Sequence, residues 1–430
     1  MNRLKELLKG NFLKNVLMVT GGTAFAQVLS IALLPIITRL YPPEQYGVIS
    51  VYVAILAIMS VFGSFNYEMG IPIADSEEKA INVLSLSVFI LLVSTSIITM
   101  IFLFFGETVL SLLNGEVLFE YKYLIPIGVF SLCLYNIFTY WAYRNKDYKA
   151  ITRTKFTQAI FQNLISIVIG LLGKGSIGLL IGNIVGKSAG ITTLLKPLLS
   201  KRTNLFKRVN KKEMLWAARR YINFPLYTTP RRFLGDITIS LPILFLTSIY
   251  GNHVVGLFGL ASSVIQLPMN IIGTSVSNVF YAEIAQLKDN NPKRVKELSN
   301  KLLRNLILIG SIPLVILLFF GPLLFSFVFG IAWYNAGVYA SLLSISVFSR
   351  LIFKPISNIF DIYEKQKIAL LLNIIRVVLV LIPFGISVYF SLSSYWAVGL
   401  YSLFMSLVYL LQYLLAQKII NDQINNLVKV

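Results

Sequence analysis

The sequence contains one cysteine, Cys133, and one histidine, His253. A disulfide framework is excluded, and too few soft ligands remain for a Cys/His metal centre. Charge is scarce as well: Asp, Glu, Lys and Arg make up 13% of the 430 residues, where a soluble domain carries about a quarter. Acids are scarcest, 18 against 38 Lys and Arg, for a net charge of +20. Long polar loops are missing too. The longest, 196–220, leaves no room for a soluble catalytic or nucleotide-binding domain. No catalytic residue, cofactor or metal is expected. The N-terminus, MNRLKELLKGNFLKN, reads as a basic amphipathic lead-in rather than a cleaved signal.

What remains is apolar. Hydrophobic residues make up 56% of the chain, and mean hydropathy is +0.75. Runs long enough to cross a bilayer recur near 14–39, 46–70, 80–105, 119–142, 150–172, 176–197, 222–250, 254–284, 303–329, 336–362, 368–390 and 394–417. Backbone polar groups in lipid must be satisfied internally, and these runs lack the short alternation of barrel strands. The expected fold is therefore all-α and integral to the membrane, with about twelve transmembrane helices.

Lys and Arg in short loops mark the cytoplasmic side. Four lie in the first fourteen residues, five in 144–155, nine in 196–220 and six in 288–304. If twelve helices alternate, all four segments share one side, and the other side holds little beyond Arg39, Lys122 and Lys174. Both termini are expected in the cytoplasm. Nucleic-acid binding, the competing reading of a basic chain, is disfavoured because the charges flank spans throughout.

The two halves echo each other. FGETVLSLLNG (105–115) and FGPLLFSFVFG (320–330) share the pattern F-G-x4-S-x3-G. LPIITRLYPPEQYG (34–47) parallels LPILFLTSIYGNHVVG (241–256), each with Leu-Pro-Ile, then Tyr, then Gly six residues on. Six helices per half insert in the same orientation, giving a parallel repeat. The expected organisation is an N-terminal lobe (1–200), a basic cytoplasmic linker (201–221) and a C-terminal lobe (222–430), around a central path used by alternating access.

One motif tempts and fails. GNIVGKSAG (182–190) approaches a phosphate-binding loop, but that motif needs four residues between Gly and Gly-Lys-Ser, and here there are three. Gly178, Gly182, Gly186 and Gly190 recur every four residues instead. That spacing lets a neighbouring helix approach closely.

Six basic residues fall inside apolar runs: Lys187, Arg231, Arg232, Arg350, Lys354 and Arg376. An ionisable group there is costly and usually faces a wet cavity or a partner. Arg350 and Lys354, four apart, share one helix face. Arg350 lies roughly 21 Å along its run at the helical rise. Pro225 and Pro230 leave a second reading for Arg231 and Arg232, a helix that starts only at Phe233 and leaves them at the cytoplasmic border. The clearest acids inside the runs are Glu68 and Asp236, candidates for ion coupling or salt bridges. Asp236, four after Arg232, is placed to pair with it. A positive wet cavity suits an anion, and arginine's planar fork of donors suits phosphate.

The chain resembles the Wzx-type oligosaccharide flippases, the polysaccharide-biosynthesis branch of the multidrug/oligosaccharidyl-lipid/polysaccharide exporter superfamily. The resemblance rests on TRLYPPEQYGVIS after the first helix, NYEMGIPIA closing the second, and VVGLFGLASSVIQLPMNIIGTSVSNVFYAEIAQ, with Gly256, Pro268 and the ending Val279–Phe280…Glu283. Ser262–Ser263 depart from the family, where many relatives carry an arginine, so no phosphate contact is expected from that point. The resemblance implies two six-helix bundles around a cleft. It implies a polyprenyl-diphosphate-linked oligosaccharide as substrate, moved from the inner to the outer leaflet of a bacterial plasma membrane. Asn66, Tyr67, Gln266 and Asn270 become candidate sugar contacts, with interhelical hydrogen bonds as the alternative. Implied partners are membrane lipids and the polysaccharide polymerase and glycosyltransferases of the same pathway. Two other functions compete: a cation-coupled drug antiporter of the same superfamily, and a polysaccharide polymerase, which would need a long polar outer loop.

Overall fold

The computed structural model describes residues 11–201, 207–287 and 291–428, and among these there are helices and turns but no strand. The basic segment 1–10 lies outside the described residues. The chain forms two compact units, Met1–Ser240 and Leu241–Val430.

Unit 1 holds α1 (Asn11–Leu40), α2 (Pro43–Ser60), α3 (Glu77–Leu112), α4 (Leu124–Arg144), α5 (Tyr148–Leu171), α6 (Ile177–Ser188), α7 (Ile191–Lys201) and the amphipathic α8 (Lys211–Arg220). It also holds the start of α9 (Thr229–Leu287). Unit 2 holds the rest of α9, then α10 (Pro292–Phe329), α11 (Tyr334–Phe353), α12 (Gln366–Tyr389) and α13 (Ser394–Val428). The helix starts follow local chemistry. Ser76 caps α3 by accepting from Lys79 N at 3.2 Å, ahead of Glu77 and Glu78 at the positive end of the helix dipole. Asp147 caps α5 through Ala150 N at 3.1 Å, and Asn291 caps α10 ahead of Pro292.

Among the described residues ten stretches are long and apolar enough to cross a membrane. Two features separate ten from the expected twelve. α5 coincides with the run 150–172, but Lys155, Gln158, Gln162 and Asn163 lower its hydropathy. α9 merges the runs 222–250 and 254–284, and its backbone breaks at Gly251 (φ 81, ψ 177), so two rods result. Only glycine takes up that conformation without strain. The most apolar window of α3, mean hydropathy 2.7, is only 11% buried. Phe104, Leu112, Phe319 and Phe327 are likewise exposed. Such faces belong in lipid, and the protein is a multi-pass membrane protein.

One helix boundary differs from expectation. The run 46–70 is not one helix, because α2 ends at Ser60. Phe65 and Asn66 take left-handed φ values of 49° and 62°, and a single 3-10 turn follows at Tyr67–Gly70. The start of α9 is tied into unit 1. Ser240 Oγ donates to Ala54 O at 3.1 Å, and Phe233 packs on Phe62 at 5.4 Å.

The glycine ladder packs on α5. A Cβ at Gly186 would lie 2.6 Å from Gln162 Cβ, and one at Gly190 2.6 Å from Thr154 Cβ. The internal repeat has a structural counterpart. Each F-G-x4-S-x3-G segment closes a long helix, α3 or α10, and a 3-10 turn then leads into the next helix. The paired tyrosines also act alike: Tyr41 donates to Ser166 O on α5 at 2.6 Å, and Tyr250 to Leu392 O just past α12 at 2.8 Å.

Candidate functional site

Unit 1 gathers polar groups around the broken end of α2. The unwound backbone leaves carbonyls without helical partners, and side chains supply the donors. Ser94 Oγ donates to Gly63 O at 2.5 Å, and Cys133 Sγ to Ser60 O at 3.3 Å. Arg144 donates to Ile71 O at 3.0 Å and Ala74 O at 2.7 Å. Glu68, 4% exposed, accepts from Ser64 Oγ at 2.5 Å. Asn66, 3% exposed, donates to Thr229 Oγ1 at 2.8 Å, and its Oδ1 accepts from Arg232. The Arg232 charge acts on both Glu68 and Asp236.

The expected Arg232–Asp236 ion pair is not formed. Arg232 turns to the amide of Asn66, and no salt bridge joins it to Asp236. α9 begins at Thr229, so Arg231 and Arg232 are helical residues, both exposed. Tyr67 donates to Ala218 O at 3.2 Å, which ties the 3-10 turn to α8. Lys187 sits half-buried near the end of α6, and its carbonyl accepts from Gln158 Nε2 at 3.3 Å. Ser64, Arg144 and Thr229 escaped the sequence reading. Nothing in their local pattern announces a partner that chain folding brings from far away.

Unit 2 has a cavity of about 200 Å³ between the second rod of α9 and α11. Gln266, Met269, Gly273 and Ser277 line one wall at helical spacing; Val347, Arg350 and Lys354 line the other. Arg350 donates to Gln266 Oε1 at 3.3 Å, and Lys354 is exposed at the cavity wall. Asn358 holds the lining residue Ser277, its Nδ2 donating to Ser277 Oγ at 2.9 Å and Ser277 O at 3.0 Å. Arg376 on α12 lies 5.9 Å from the Tyr409 ring centre, and its Nε is buried with no hydrogen-bond partner. The charges of Arg350 and Arg376 both act on Lys354, opposed by Asp361. Arg350 and Lys354, two like charges on one wall of the cavity, favour an anion that pairs with them. Of the sugar candidates, Gln266 lines this cavity, whereas Asn66 and Tyr67 are engaged within unit 1. The side chain of Asn270 lies outside those described. Among the described residues no group of His, Cys, Asp and Glu could hold a metal.

The family model of the polysaccharide biosynthesis proteins matches residues 36–338. The chain belongs to that family. No curated protein matches it. Among solved structures, this polysaccharide biosynthesis protein is similar to a multidrug resistance MATE family transporter of the MOP superfamily in an inward-facing conformation. The TM-score is 0.76 at 14% identity, over 93% of this chain and 96% of that one. The outward-facing conformation of such a transporter matches with TM-score 0.63 at 14% identity, over 98% of both chains. A MOP superfamily transporter from Pyrococcus furiosus matches with TM-score 0.62 at 16% identity, over 97% and 98%. That protein is described as having a binding pocket of reverse polarity that suggests a different function. At these identities the likeness establishes the fold, an all-α membrane fold.

Proposed function

We propose that this polysaccharide biosynthesis protein is a flippase. It carries a polyprenyl-diphosphate-linked oligosaccharide from the inner to the outer leaflet of the bacterial plasma membrane, for assembly of a cell-surface polysaccharide. Both termini are cytoplasmic on this reading. The observation that supports it best is the cation-lined cavity of unit 2. Arg350 and Lys354 present donors whose charge and geometry suit a diphosphate, Arg376 adds its charge near Lys354, and the cavity is small for a whole oligosaccharide. In unit 1, Arg231, Arg232 and Lys187 remain candidate anion contacts on this reading. A drug-cation exporter would call for acids in the cavity instead. Glycosyltransferases would supply the substrate and a polymerase would consume the product.

The experiment is to delete the gene and extract polyprenyl-diphosphate oligosaccharides from each leaflet. A complete repeat unit should accumulate on the cytoplasmic face. Wild type should clear it, Arg350→Lys in part, and Arg350→Glu not at all at equal expression. Normal lipid-linked pools after deletion would sink the reading, and full activity of Arg350→Glu would remove the cavity from it.

A second reading has its own observation. The buried carboxyl of Glu68, within reach of the Arg232 charge, suits a cation-coupled antiporter of small molecules. It requires that the deletion strain lose export of a cationic dye, and that Glu68→Gln abolish export while the protein melts normally.

A further inference from the structure

A second basic site lies in unit 1, away from the groups used above. Two adjoining hollows of about 610 and about 330 Å³ share Asp147, Ala150 and Pro197. Lys149, Arg153 and Lys196 line the larger, and Lys146 the smaller. Four bases thus face one acid. Asp147 is already committed as the cap of α5 through Ala150 N. Among the described residues none of the four bases forms an ion pair. Thr192 and Thr193 add hydroxyls to the larger hollow, while Trp141, Leu194 and Pro197 give the smaller one an apolar wall.

Position narrows the ligand. The candidate spans Leu124–Arg144 and Ile177–Leu198 both end here, so the hollows open at a membrane border. A phosphate held by the bases would place its glycerol and acyl chains toward the apolar wall and the lipid. Basic pockets between transmembrane helices at such borders suit anionic headgroups. We propose that this pocket binds the phosphate of an anionic phospholipid of the surrounding bilayer, such as phosphatidylglycerol. The bound lipid's negative charge offsets part of the repulsion among these bases across the α4–α5 turn and α7. This rests on the membrane reading and not on the flippase reading.

The test uses the full-length protein in detergent with no oligosaccharide present. Phosphatidylglycerol or phosphatidylcholine is titrated in, and bound lipid is counted by native mass spectrometry, with melting temperature as a second readout. Wild type should retain phosphatidylglycerol over phosphatidylcholine. The triple variant Lys149→Gln/Arg153→Gln/Lys196→Gln should bind it roughly a hundredfold more weakly, at about fivefold per base. Lys196→Gln alone, at an exposed position, should give the single step if the triple variant misfolds. Arg350→Gln should bind the lipid as wild type does, which separates this site from the proposed transport site. The proposal is overturned if the triple variant binds phosphatidylglycerol normally. It is also overturned if Lys207→Gln/Arg208→Gln, outside the pocket, weakens binding equally. Protection by millimolar inorganic phosphate equal to that by the lipid would identify a soluble-anion site and overturn the lipid assignment.

Discussion

Arg144 illustrates how a residue's role changes once the chain is folded. In the sequence it is one of five bases in a loop and counts toward topology. In the structure its guanidinium bonds the carbonyls of Ile71 and Ala74, where the chain has left α2 and not yet entered α3. Hydrogen bonds from a charged donor contribute about 1.5–3 kcal/mol. Arg144→Gln should therefore lower the melting temperature in detergent by several degrees, corresponding to about that loss. An unchanged melt would mean that water satisfies those carbonyls. Asn66 follows the same logic. Its left-handed backbone is held because both ends of its amide are engaged, by Thr229 and by Arg232.

Helices in this protein meet through small residues and a few directed bonds. At Gly182 a Cβ would lie 2.8 Å from Gln162 O, a backbone atom that cannot rotate away. Gly182→Ala should push α6 from α5 and cost about 1–3 kcal/mol. Gly235→Ala, on the open face of α9, has nothing within 4 Å and should gain roughly 0.5–1 kcal/mol. Thermal melts of the two variants should move in opposite directions; a shared direction would refute the packing account. The repeat makes a paired prediction. Tyr41→Phe and Tyr250→Phe each remove one bond to the fifth helix region of their own half, and each should cost about 1 kcal/mol. Strongly unequal losses would mean the two halves no longer use the motif alike.

At the scale of the whole molecule, the charge asymmetry of the loops is open to a direct test. Cys133 is the sole cysteine and is buried, so Cys133→Ser leaves a clean background for labelling. In that background Lys149→Cys should react with a membrane-impermeant thiol reagent only in inside-out vesicles. Lys174→Cys and Lys122→Cys should react in intact cells. The opposite pattern would invert the topology and put the cavity's transport direction in question.

Much of the architecture followed from the sequence alone, because the bilayer leaves a chain few choices. Apolar length dictated helices, and paucity of charge dictated lipid contact. Glycines at four-residue spacing foretold close packing, and two short echoes foretold the repeat that now appears as helix, 3-10 turn, helix in both halves. The basic residues inside the spans were legible too, since charge there stands out against an apolar background. Tertiary structure alone decided what each of them touches. Arg232 bonds Asn66 rather than Asp236 because α2 unwinds at Ser60 and carries the amide beneath α9. Arg350 and Lys354 line one cavity because faces of α9 and α11 meet in unit 2. Hydrogen bonds between residues more than a hundred positions apart, such as Asn66 to Thr229, leave no local pattern to read. They arise only when packing brings the partners together and removes the water that would otherwise take their place.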